Sequence, residues 1–234
     1  MSFASVLGLS VLLLTHLISP WLLQHSHRAG WLAPVAGGVS VSYVFLQLLP
    51  KLTYSDHLLT ETARQMAARW QHHGFLLALI GLILFLGLDR SSRQHTSWIR
   101  VQRAHLLLGI YSLYNFIIGY LLPAHYALGG TRSTFLFSLA MALHFFLIHH
   151  LLAPSFSAGN TRIAQISFAA FCLLGWMSAT LLPINWVFLA LLLSILAGAM
   201  ILLTLKEEIQ EESLQRFGLF ILGAAGYTLL VMRI

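Results

Sequence analysis

The chain has 234 residues, of which 58% are hydrophobic and 9% are charged, and its mean hydropathy is +0.81. Water-soluble domains carry about 25% charged residues, so this composition excludes a soluble globular domain and indicates an integral membrane protein. Thirteen Lys and Arg against seven Asp and Glu give a net charge of +6, but the basic residues are scattered between apolar runs and form no nucleic-acid-binding patch. The single cysteine, Cys172, excludes an intrachain disulfide and a cysteine-based metal site.

Charged residues divide the chain into apolar segments of membrane-spanning length. A hydrocarbon core of about 30 Å needs roughly 20 apolar residues per helix. The first segment lacks the basic start and cleavage site of a signal peptide, so we interpret it as a retained helix. The 43 residues from Ile163 to Leu205 carry no formal charge; this is too long for one crossing, and Pro183 divides it. The predicted spans are residues 5–24, 30–50, 71–88, 104–122, 133–152, 163–182, 185–205 and 217–232.

These segments predict one all-α transmembrane domain, a bundle of eight helices over residues 1–234. An even number of spans places both termini on the same side of the membrane. The loops between spans 1 and 2, 3 and 4, 5 and 6, and 7 and 8 carry eight Lys and Arg, against five on the other side. Because positive loops stay in the cytoplasm, we expect the 3–4 loop to be cytoplasmic and both termini to lie outside the cell (inner) membrane.

Polar residues at membrane depth are the first candidates for function, because they are costly to bury in lipid. No Asp, Glu, Lys or Arg lies in the middle of a predicted span. Two histidines on one helix chelate an ion most easily at a spacing of four, and His144 and His149 point about 140° apart. For each histidine, a hydrogen bond between helices is the simpler interpretation. The polar candidates are His16, Gln47, His105, Tyr111, Asn115, His144, His149, His150 and Asn185.

Two further expectations concern packing. Residues 51–73, between spans 2 and 3, carry apolar side chains near helical spacing and Ser55 as an N-cap, which predicts an amphipathic helix in the membrane interface. Spans 2, 4, 5 and 7 are expected to be innermost, because they hold most of the polar candidates and the glycines that permit close approach. These glycines are Gly37, Gly38, Gly109, Gly119 and Gly198.

The order of short motifs resembles the ZIP (zinc/iron permease) family of eight-helix divalent-metal transporters. That family carries F-L-H-L-L-P-E-A in span 2, H-[NS]-x-x-[DE]-G in span 4 and H-E-x-P-H-E in span 5. The corresponding segments here are Ala36-Gly37-Gly38 with Phe45-Leu46-Gln47-Leu48-Leu49-Pro50-Lys51-Leu52, Tyr111-Ser112-Leu113-Tyr114-Asn115-Phe116, and His144-Phe145-Phe146-Leu147-Ile148-His149. Span 7 adds Leu196-Ala197-Gly198-Ala199-Met200-Ile201, which runs into an acidic stretch after Lys206.

The resemblance implies a ZIP-like bundle in which the metal-site positions are largely altered. Only His144 keeps the family's ligand type, while Asn115 stands for an acidic residue and Gln47 for a histidine. Without carboxylates, a divalent cation would keep its full charge in a medium of low dielectric constant. We therefore expect divalent metal binding to be weak or absent. The metal-site candidates implied by the resemblance are His144, His149, Asn115, Tyr111, Ser112 and Gln47.

Three functions stay open. The first is a ZIP-like transporter with an altered translocation site of low acidity, which moves divalent metal ions or another small solute. The second is a non-transporting relative with a structural or regulatory role, and the third is a b-type haem protein with His16 and His144 as axial ligands. No Ser/His/Asp or His-plus-carboxylate group lies within the spans, so no enzymatic activity is expected. The expected partners are the lipid bilayer and a small ion or solute, with a homodimer as one open option for assembly.

Overall fold

The computed structural model describes residues 2–25, 29–65, 72–91, 97–152, 158–182, 185–209 and 214–233. Within these ranges the chain is helical almost throughout and contains no strand, which confirms the all-α prediction. The helices are α1 (Phe3–His25), α2 (Ala29–Tyr43), a π-helical segment (Val44–Leu48), α3 (Leu49–Gln65), α4 (His73–Ser91), α5 (Ser97–Leu152), α6 (Ala158–Leu181), α7 (Trp186–Ile209) and α8 (Leu214–Arg233).

Helix α5 is a helical hairpin rather than one rod. Gly130, the only described glycine with positive φ, has φ 63° and ψ −156° and reverses the chain direction. Tyr114 Oη and His144 Nε2, which lie 30 residues apart, are within 2.7 Å of each other, whereas a straight helix would separate them by about 45 Å. The chain therefore turns within residues 123–132, which connect predicted spans 4 and 5. The first helix continues through Pro123, which was expected to end it, as far as Gly130.

Five of the described helices are long and apolar enough to cross a membrane: residues 31–64, 105–150, 161–181, 186–205 and 214–233. Two shorter apolar helices cover Phe3–Ser19 and His73–Gly87. The most buried candidates lie in α2, α5 and α7, with 61% of the best apolar window buried in each, against 33% in α6 and 11% in α8. These three helices contain the predicted spans 2, 4, 5 and 7.

Span 2 does not end at Lys51. Pro50 lacks the N–H group that a regular helix would use, and the chain widens into the π-helix just before it, with the Leu49 N–H donating to the Val44 carbonyl. The helix then continues as α3, so Lys51 lies in the first turn of α3 and not at the end of a helix. Within the predicted helix of residues 51–73, residues 51–65 are helical as part of α3 and residues 66–71 lie outside the described part of the chain. Helix α3 packs on α4 and α7.

Asp56 joins α3 to the start of α4. Its Oδ1 accepts hydrogen bonds from the backbone N–H groups of Gly74 at 2.8 Å and Phe75 at 3.4 Å, and Asp56 itself is buried. The first N–H groups of a helix have no partner within the helix and favour a negative charge. Asp56 therefore fixes where α4 begins against α3.

We expect Asp56→Ala to lower the stability of the protein by about 1–2 kcal/mol, as the loss of a helix cap does. Thermal unfolding of the detergent-solubilised protein would measure this change. Glu61→Ala is the matched control, because Glu61 on the same helix makes only an exposed ion pair with Arg64, and such pairs contribute little. Equal melting temperatures for the two variants would contradict the capping role.

Three helix pairs cross at reciprocal glycines. A Cβ built on Gly119 of α5 would overlap the Cys172 carbonyl oxygen of α6, and one built on Gly175 of α6 would overlap the Phe116 carbonyl oxygen of α5. The same relation holds between Gly81 of α4 and Gly198 of α7, and between Gly38 of α2 and Gly223 of α8. The backbones therefore touch at these crossings, as small residues allow in membrane proteins. Gly109 was expected to serve the same purpose, but it has open space within 4 Å of its Cβ position.

Candidate functional site

A pair of buried histidines lies in the middle of the bundle. His16 on α1 is 1% exposed and His149 on the second half of α5 is 6% exposed. His16 Nδ1 lies 3.0 Å from His149 Nε2. Because a hydrogen bond needs one donor and one acceptor, one nitrogen carries the shared proton and the other offers its lone pair. The His16 ring also packs on Phe145, with 4.2 Å between ring centroids.

Asn115, on the first half of α5, adds an amide to this pair. Its side chain is fully buried and within hydrogen-bonding range of the His16 side chain. Its Nδ2 donates to the Tyr111 carbonyl at 2.7 Å. Its Oδ1 and the Nε2 of His16 have no hydrogen-bond partner among the described residues. Buried polar atoms are normally paired, so these neighbouring atoms are suited to bind one small guest.

His144 belongs to a different contact. It is fully buried, and its Nε2 lies 2.7 Å from the hydroxyl oxygen of Tyr114. The Tyr114 ring in turn packs on Phe85 of α4, with 5.7 Å between ring centroids. The five-residue spacing turns His144 and His149 to different sides of their helix, as the helical geometry predicts, so their hydrogen bonds reach different partners.

Gln47 lies in the π-helical segment and is half-buried. Its Nε2 donates to the Tyr227 hydroxyl at 2.9 Å, and that hydroxyl donates to the Leu136 carbonyl at 3.1 Å. Gln47 therefore links the π-helical segment to α8 and, through the Tyr227 hydroxyl, to the second half of α5. Tyr111 and Ser112, the remaining candidates, are both buried.

The six candidates thus divide into separate groups. His149 and Asn115 meet around His16, with Tyr111 joined through its backbone carbonyl, whereas His144 bonds with Tyr114 and Gln47 with Tyr227. The hydrogen bonds therefore do not join all six candidates into one group. Asn115 and His144 are both fully buried.

The histidine pair is close to the spacing of two metal ligands. Zn–N bonds of about 2.0–2.1 Å in tetrahedral geometry place two ligand nitrogens about 3.3 Å apart, and the observed distance is 3.0 Å. No group of three or more His, Cys, Asp or Glu that could hold a metal ion occurs within the described ranges, so the pair has no third such ligand there. A divalent cation there would gain two imidazoles and an amide oxygen but no charge neutralisation.

The contacts do not fit a haem held by His16 and His144. One nitrogen of each imidazole is used, Nδ1 of His16 by His149 and Nε2 of His144 by Tyr114, while His16 Nε2 and His144 Nδ1 have no partner among the described residues. The His16 ring lies against Phe145 and the His144 ring against Tyr114. A six-coordinate haem needs a nitrogen from each imidazole on opposite faces of one flat ring. Aromatic side chains fill the space beside the rings instead, so we derive no function through haem.

Residues outside the six candidates complete these groups. His16 was identified as a polar residue in mid-span, but the motif resemblance gave it no place in the metal site. Tyr114 and Tyr227 were not singled out, because a tyrosine in an apolar run reads as an aromatic core residue. One signal for Tyr114 was present in the sequence: it directly precedes Asn115, and two neighbouring polar residues of a helix point to different sides and therefore meet different partners.

Comparison of the chain with protein-family models and with curated proteins gives no match.

Proposed function

We propose that this protein is a polytopic membrane carrier with eight spans and a ZIP-like architecture, whose translocation site is His16, His149 and Asn115. The number eight rests on the five long apolar helices, of which α5 folds back into two, and on the two shorter apolar helices. The distribution of Lys and Arg supports a cytoplasmic 3–4 loop and external termini. Residues 92–96 of that loop lie outside the described part of the chain.

The observation that carries the proposal is the buried imidazole pair with two neighbouring unpaired polar atoms. The three side chains come from α1 and from both halves of α5, so the site lies where three predicted crossings meet. The neutral ligand set favours a transition-metal ion that imidazole binds well, held weakly enough to be released.

Uptake of Zn²⁺ into proteoliposomes that contain a fluorescent chelator tests this function. We expect uptake above that of empty liposomes, and we expect His149→Phe to reduce it by about tenfold or more, since the ring is kept and the ligand nitrogen is lost. His57→Ala is the control, because His57 is an exposed histidine of α3. Wild-type uptake equal to that of empty liposomes would contradict zinc transport.

A non-transporting structural or regulatory role is the second candidate. It is favoured by the lack of three or more metal-binding side chains in one group among the described residues. The same measurement separates the two functions, because a non-transporting protein would leave zinc flux at background in wild type and in both variants.

A further inference from the structure

A small cavity lies at the end of the bundle where α3, the Gly130 turn of α5 and the start of α7 meet. Its volume is about 50 Å³, enough for a water molecule or a small ion. Its walls are mostly leucine side chains, and Tyr54 and Trp186, both exposed, form its outer rim. Its polar contributors are Lys51, Ser55 and His125. The cavity is distinct from the His16 site.

The Lys51 ammonium is a buried cation without a partner. Its Nζ is inaccessible to solvent and has no hydrogen bond or ion pair among the described residues. No Asp or Glu is among the residues that line the cavity. Asp56 on the same helix bonds to the start of α4. An isolated buried charge is costly, so the cavity favours a guest with a negative charge.

His125 supplies a hydrogen-bond acceptor to the cavity. It is 3% exposed, and its Nδ1 donates to the Leu121 carbonyl at 2.9 Å. This bond assigns the ring proton to Nδ1 and leaves the lone pair of the neutral ring on Nε2. Nε2 has no partner among the described residues, and Lys51 is near enough to interact with the ring. The ring is fixed in place by stacking on Phe137 at 3.9 Å.

We propose that the Lys51–His125 cavity binds a small oxyanion that carries its own hydroxyl group. The ammonium of Lys51 donates to the negative oxygen, and the guest's hydroxyl donates to Nε2 of His125. An anion without a hydroxyl would satisfy the ammonium but would face the lone pair of Nε2 with a second lone pair. Lys51 Nζ therefore selects a guest with a negative charge, and His125 Nε2 selects one with a hydrogen-bond donor.

Hydrogencarbonate and nitrate are the matched probes, because both are planar monovalent oxyanions and only the former has a hydroxyl. Binding of each to the purified full chain would be measured by calorimetry at neutral pH. We expect hydrogencarbonate to bind about tenfold or more tightly than nitrate. Hydrogencarbonate gains a hydrogen bond to Nε2 of His125, whereas nitrate places a lone pair against that nitrogen. Lys51→Met should abolish the binding of both, and His125→Phe should remove the difference between them.

Lys51→Met removes a buried unpaired charge and should fold at least as well as the wild type, so lost binding in this variant reports on the site. Arg64→Met, which removes an exposed cation of α3, is the control and should bind as the wild type does. Equal affinity of wild type for the two anions would overturn the selection for a hydroxyl. Absence of binding to wild type, or binding unchanged in Lys51→Met, would overturn the site.

Discussion

Replacement of Gly198 by leucine is expected to prevent the protein from reaching its native fold. A Cβ at this position would overlap the Ala78 carbonyl oxygen and come within 2.7 Å of the Leu82 backbone nitrogen. These obstacles are backbone atoms, so α4 and α7 would have to separate over their whole crossing. Even Gly198→Ala is expected to cost about 1–3 kcal/mol, the usual price of overpacking a core, and leucine adds three further carbon atoms.

Size-exclusion chromatography and thermal unfolding in detergent would measure the effect, with Gly198→Leu expected to aggregate and Gly198→Ala to melt at a lower temperature. Gly109→Leu is the matched control, because it places the same side chain in a helix at a glycine with open space. A native elution profile for Gly198→Leu would show that the α4–α7 crossing is looser than described.

Asn115→Asp is expected to make the stability of the protein depend more strongly on zinc than that of the wild type does. The new carboxylate would lie beside the His16–His149 pair and complete a set of two imidazoles and one anionic oxygen. Without metal, a buried carboxylate with no partner should lower the melting temperature. With zinc at about 100 times its dissociation constant, binding should return about 2.7 kcal/mol, so the melting temperature should rise with zinc concentration.

Ser194→Asp is the control for Asn115→Asp. Ser194 on α7 is fully buried, and its hydroxyl donates to the Ala190 carbonyl, so the substitution places a carboxylate in the core away from the histidine pair. It should destabilise the protein without any recovery in zinc. If zinc shifts the melting temperature of Asn115→Asp no more than that of wild type, the ligand role of Asn115 is contradicted.

Much of the helical organisation could be predicted from charge and apolar length. The boundary between α6 and α7 falls where Pro183 placed it, since α6 ends at Leu181 and α7 begins at Trp186. The turn between the halves of α5 lies at Gly130, within the predicted connection of residues 123–132, because Gly130 takes the positive φ that reversal needs. The first half runs past Pro123, since a proline inside a helix of a packed bundle can be tolerated.

The grouping of polar residues was harder to predict because it depends on contacts between distant helices. Motif order suggested His144 as the main ligand, but only the packing of α1 on α5 shows that His149 has a buried imidazole opposite it. Lys51 was interpreted as a boundary marker, since sequence alone does not reveal that its amine lies in the wall of a cavity. The acidic stretch after Lys206 has no described side chains.

The three glycine crossings also imply an order of assembly. The pair Gly119–Gly175 lies within the pair Gly81–Gly198 along the chain, and both lie within Gly38–Gly223. A ribosome that delivers helices in sequence would complete the inner crossing first, then the middle one, and would leave α2 without its closest neighbour until α8 arrives. The second half of α5, which carries His149, lies between the two glycines of the innermost pair along the chain. Among the described helices, α8 therefore completes the packing of α2 only after the helices that carry His16 and His149 have been made.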